Sequence, residues 1–198
     1  AFCKLVLGFE WLESLLIGAV ISSTDAASVF SVLRSKKLNL RYGTASILEL
    51  ESGSNDPWAY MLTVIILSVM KGGATAGGFV VSLLAQVFFG VGFGALISLG
   101  AVYLIKRVRF DAAGFDAIFV TAIAILSYAL PSAVGGNGYL SCYIVGIVLG
   151  NTKISGKTAL VHFFDGITGF TQILLFFLLG LLAFPSQMPS IILPAAAI

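Results

Sequence analysis

From Gly78 to Ile105 the chain carries no charged side chain. That run exceeds the roughly 20 residues that take a helix across about 30 Å of hydrocarbon at 1.5 Å per residue. It is not isolated, because the whole sequence is 59% hydrophobic and only 10% charged, with a mean hydropathy of +1.05. About a quarter of a soluble domain is charged, so the chain reads as a polytopic membrane protein. Lipid offers the backbone no hydrogen-bond partner, which leaves helices or closed barrels as spanning structures. Barrel strands would appear as alternating segments of about ten residues, whereas these apolar runs are continuous. The predicted fold class is therefore all-α: a bundle of membrane helices forming part of one transmembrane domain over residues 1–198.

The predicted spans lie near residues 11–33, 42–70, 78–105, 115–134, 139–151 and 162–184, with a truncated run at 191–198. The fifth is short, which suits a thin, tilted or partly re-entrant helix. Because the chain starts at Ala1 and ends within an apolar run, it is expected to be a piece of a longer protein. All of its 11 basic residues except Lys4 and Lys71 fall in three loops, at 34–41, 106–109 and 153–157. An excess of Lys and Arg marks cytoplasmic loops, so these three are predicted to face the cytoplasm. The first cluster (Arg34, Lys36, Lys37, Arg41) is short and lies between spans, so no nucleic-acid partner is expected. Cys3 and Cys142 sit far apart in apolar sequence and suggest core residues, with no disulfide or metal framework. Gly90 with Gly94, and Gly146 with Gly150, have the small-xxx-small spacing that permits close helix approach. Gly135 to Gly138 is expected to be a turn.

Against this background, Glu51-Ser52-Gly53-Ser54-Asn55-Asp56-Pro57 stands out in the second span. A charged group at the centre of a membrane costs roughly 3 kcal/mol on insertion scales, so intramembrane carboxylates are functional candidates by default. On a helix, Glu51, Asn55, Ser52 and Asp56 project at roughly 0°, 40°, 100° and 140°, forming one polar face. Carboxylate, hydroxyl and amide oxygens on one face can replace the hydration shell of a hard cation. Pro57 removes a backbone donor and is expected to loosen the preceding turn. In the first span, Ser22-Ser23-Thr24-Asp25 brings a second acid to a similar depth. Asp25 therefore joins Asp56 as a candidate cation- or proton-binding group. Ser22, Ser23, Ser28 and Ser31 are assigned to bonds back onto their own helix. Every arginine lies in a loop, so the acids either hold something transported or meet basic partners beyond these residues. No nucleophile with a nearby base, ligand cluster or phosphate loop is present, which argues against an enzyme.

The paired motifs, Ser23-Thr24-Asp25-Ala26-Ala27 and then Glu51-Ser52-Gly53-Ser54-Asn55-Asp56-Pro57, resemble those of monovalent cation:proton antiporters of the NhaP and Na+/H+ exchanger kind. With Gly136-Asn137-Gly138-Tyr139-Leu140 and Phe164-Asp165-Gly166, the resemblance extends over most of the chain. It is strongest toward the bacterial potassium/proton, cell-volume-regulation branch. It implies two inverted repeats, a core bundle moving against a dimerisation bundle, and hence a homodimer in a bacterial inner membrane. It makes Asp56 the essential carboxylate, Ser52 and Thr24 its oxygen neighbours, and Asn55 and Glu51 bracing residues. It also places the second broken helix, and an arginine facing Glu51, after Ile198. Asp56 would then bind either a proton or a cation, K+ in preference to Na+, with alternating access carrying each in turn. Asn55 stands where electrogenic relatives carry a second aspartate, which implies electroneutral exchange. Ala26, where many sodium-type members have proline, weakens the expectation of a sharp break at Asp25. No cofactor is implied, nor any metal beyond the transported cation. The alternatives are a cation channel, which would carry current without proton exchange, and a non-transporting membrane sensor.

Overall fold

The computed structural model describes residues 2–24, 42, 44–72, 76–107, 114–154, 156–189, 192 and 195. Asp25, the basic cluster from Arg34 to Arg41, and Arg109 lie outside the described residues, as does most of the run at 191–198. The fold is all-α. The helices are α1 (Phe2–Leu5), α2 (Trp11–Ile21), α3 (Thr44–Met70), α4 (Ala76–Arg107), α5 (Phe115–Ala133), α6 (Gly138–Asn151) and α7 (Lys157–Leu182).

Three of these, α4, α5 and α7, are long and apolar enough to cross a membrane. With 27 residues, α3 has the length, but its polar first half lowers its hydropathy below theirs. α6 is a short apolar helix of 14 residues, only about 21 Å long at 1.5 Å per residue. The first predicted span needs correcting. Its helix stops at Ile21, and Ser22 to Thr24 leave the helical path. The chain thus departs from helix before Asp25, even though Ala26 stands in the place of proline. Pro57 sits inside α3, which continues on both sides of it from Thr44 to Met70.

α6 is the centre of the packing, lying against α3, α4 and α5. Its approach to α4 is close because α4 presents glycines there. A Cβ on Gly90 would come within 2.9 Å of the Asn137 carbonyl, and one on Gly94 within 3.1 Å of the Ser141 Cα. The second glycine pair differs, since nothing lies within 4 Å of a Cβ built on Gly146 or Gly150. The turn from α5 into α6 is built from glycine for two reasons. Gly135 has φ +79°, which L side chains avoid, and a Cβ on Gly138 would meet the Tyr128 carbonyl at 2.5 Å.

Ala101, Ile123, Val145 and Leu149 form an apolar core where α4, α5 and α6 meet. α2 packs on α3, and α7 lies at the edge of the bundle, meeting α5 and donating from Lys157 Nζ to the Gly150 carbonyl of α6. α7 has no buried residue and presents Phe170, Ile173, Phe176 and Phe177 outward. In water such a surface would aggregate; in a bilayer it faces a solvent as apolar as itself.

Candidate functional site

The site forms where the end of α2 meets the first half of α3. Ser22 Oγ donates to the Ala19 carbonyl at 2.7 Å, the back-bond expected of it. Ser23 does otherwise, and its assignment to its own helix is corrected: its hydroxyl donates to Oδ1 of Asp56 on α3. Once the helix ends at Ile21, Ser23 is no longer held to the 3.6-residue repeat and its side chain can turn to the neighbouring helix.

Thr24, Ser52, Glu51 and Asn55 close a ring. Thr24 Oγ1 donates to Ser52 Oγ at 3.2 Å, and Ser52 Oγ donates to Glu51 Oε2 at 3.4 Å. Asn55 Nδ2 donates to Glu51 Oε1 at 3.1 Å and to Thr24 Oγ1 at 2.7 Å. Every proton has one destination, and both Glu51 oxygens accept. The Ser52–Glu51 link is long for a hydroxyl donor and so the weakest of the four. Ser52 is 1% exposed, so this acceptor matters to it. Asn55 Oδ1 is buried and has no hydrogen-bond partner among the described residues, so one acceptor of the ring is unused.

Asp56 stands apart from the ring. It is exposed and opens onto a cavity of about 480 Å3 lined by Val20, Ser23, Ala59, Tyr60, Thr63 and Tyr139. Tyr60 and Tyr139 meet edge to face with ring centroids 4.5 Å apart, and Tyr128 joins Tyr139 at 5.2 Å. Oxygen donors and a carboxylate beside an open cavity suit a hard monovalent cation or a proton. Among the described residues, no group of His, Cys, Asp and Glu could hold a resident metal ion.

The structure thus brings together Asp56, Ser52, Thr24, Asn55 and Glu51, while Asp25 lies outside the described residues. Ser52 is bonded within the ring, to Thr24 and Glu51. Two contacts to α3 come from α6 and were not read from the sequence. Asn137 Nδ2 donates to the Pro57 carbonyl at 3.0 Å, and the Tyr143 hydroxyl donates to the Leu50 carbonyl at 3.2 Å. The only advance signal was an asparagine before an apolar run, which reads as a helix cap.

Residues 1–198 match the family model described as the sodium/hydrogen exchanger, transmembrane. Among individual relatives, the K(+)/H(+) antiporter NhaP2 of Shewanella oneidensis is 40% identical over 194 residues, covering 96% of this chain and 33% of the relative. The K(+)/H(+) antiporter NhaP of Alkalimonas amylolytica is 38% identical over 196 residues, covering 98% of this chain and 34% of that protein. More distant is the Na(+)/H(+) antiporter NhaS2 of a Synechocystis species, 28% identical over 205 residues, covering 98% of the chain and 36% of the relative. The chain spans about a third of the length of these relatives. With apolar helices, a polar break packed against a carboxylate-bearing helix, and a family match along its whole length, this chain belongs to the transmembrane sodium/hydrogen exchangers, the NhaP-type cation:proton antiporter family.

Proposed function

We propose that the chain supplies one half of the ion site of a secondary transporter that exchanges K+ for H+ across a bacterial inner membrane. Na+ is the alternative cation, and the three basic loops face the cytoplasm. The observation that carries this reading is the setting of Asp56: among the described residues its carboxylate has one hydroxyl partner, Ser23, and it opens to a cavity beside a closed polar ring. A cation and a proton neutralise the same carboxylate, so each excludes the other, and exchange follows from alternating access. The names of the closely similar relatives favour K+. Of the described acids on this face, Glu51 is tied into the ring and Asp56 is not, and Asn55 adds no charge, so one cation for one proton is the stoichiometry proposed. The protein is a transporter and not an enzyme, and acts as a homodimer when whole.

The test uses the full-length protein in sealed vesicles. A K+ gradient should drive proton movement in the wild type, and Asp56→Asn should abolish it. Exchange retained in that variant would refute the assignment, whereas K+ current without proton movement would favour a channel.

A further inference from the structure

α6 reaches α3 at two backbone points, one on each side of the polar segment. The Tyr143 hydroxyl donates to the carbonyl of Leu50, the residue before Glu51. The Asn137 amide donates to the carbonyl of Pro57, the residue after Asp56. Between these points the Tyr143 ring lies against Gly53, where a Cβ would come within 2.9 Å of it. Neither contact involves a side chain of the ring or of Asp56.

Pro57 explains why such support is placed here. Without an N–H it cannot bond the Gly53 carbonyl one turn back, so α3 lacks a rung inside the segment that carries the acids. A helix missing a rung next to a proline tends to kink, yet α3 continues from Thr44 to Met70. Asn137 is well anchored for bracing it. It is 1% exposed, its backbone N–H donates to the Gln86 carbonyl on α4 at 3.1 Å, and its side-chain oxygen caps α6 by accepting from Leu140 N at 3.1 Å. One residue thereby ties α3, α4 and α6 together. The glycine-mediated approach of α6 to α4 makes α6 a firm support.

The geometry points to Asn137 and Tyr143 as positioning residues that hold the 50–57 stretch of α3 by its backbone and so set the placement of Glu51, Ser52, Asn55 and Asp56. Their effect on transport rests on the antiport reading; their effect on α3 does not.

Two variants of the full-length protein separate the brace from general packing. Asn137→Ser keeps a capping oxygen for α6 but is too short to reach Pro57. Tyr143→Phe keeps the ring against Gly53 and removes the hydroxyl. Deuterium uptake in α3 peptides spanning 50–61 should rise at least about fivefold in each variant, with uptake in 90–105 of α4 unchanged. In vesicles the apparent cation affinity should fall about three- to tenfold, with the limiting rate within about twofold of wild type. Unchanged uptake in 50–61, or an equal rise in α4, overturns the proposal. So does unchanged cation affinity in the two variants, where wild-type exchange is abolished by Asp56→Asn. If the wild type shows no exchange dependent on Asp56, the antiport reading fails, and the contrast in uptake between α3 and α4 still decides the brace. Should Asn137→Ser not fold, Tyr143→Phe decides by the same measurements.

Discussion

Glu51 and Asp56 stand little more than one turn apart on the same helix, and their surroundings differ. Both oxygens of Glu51 accept bonds from the ring of Ser52 and Asn55. Asp56 has the Ser23 hydroxyl and an open cavity. The contrast lies in where the partners come from: Glu51 is held by Ser52 and Asn55 of its own helix, with Thr24 joining the ring through those two, whereas Asp56 takes the Ser23 hydroxyl from the end of α2. A carboxylate with both oxygens bonded to its own helix suits a fixed brace, and one that opens to a cavity suits an exchanging ligand. Proximity in sequence therefore does not make the two acids equivalent.

The largest expected break in this contrast is Asp56→Asn, with complete loss of cation-driven proton movement; Asp56 is the exchanging group only if nothing remains. Glu51→Ala should come next and should act mainly on stability. It leaves the buried Ser52 hydroxyl without its acceptor, a loss on the order of 1–3 kcal/mol, read as a lower unfolding midpoint in detergent, with some exchange surviving in the folded fraction. Ser23→Ala removes the hydroxyl that donates to Asp56, and the apparent cation affinity measured in vesicles should change by roughly tenfold, about 1.4 kcal/mol. Ser52→Ala breaks only the two longest links of the ring, so affinity should fall by about threefold, with less effect on the limiting rate. The smallest effect concerns packing. Gly94→Ala should lower thermal stability because its Cβ meets Ser141 and Ile144, while Gly146→Ala, with open space around it, should leave the melting temperature unchanged.

These glycines show how far the sequence could be read. Gly90/Gly94 and Gly146/Gly150 have the same spacing, yet a Cβ on either of the first pair would meet a neighbouring helix, while one on either of the second pair would meet nothing within 4 Å. Spacing states which residues share a face but not what that face meets. The same limit applies at the site. The polar face of α3 followed from its helical repeat, and the Glu51–Asn55 contact is local. The Ser23–Asp56 contact crosses between helices, and its prediction failed because Ser23 was taken to lie within a helix. The Asn137–Pro57 contact joins residues 80 apart in sequence, with nothing in either local pattern naming the other.

By itself, the sequence determined the solvent and the class of fold: uncharged runs long enough to cross a bilayer require helices, because lipid cannot satisfy an open backbone. It also determined which side chains share the polar face of α3, since a helical repeat is a local property of the chain. Only the tertiary structure decided that α2 ends before Asp25, that Glu51 is bound into a ring while Asp56 faces a cavity, and that α6 holds α3 on both sides of the acids. Each of these depends on which helix packs against which and at what height. That is settled by close approach and by hydrogen bonds between residues distant in the chain, which no local repeat encodes.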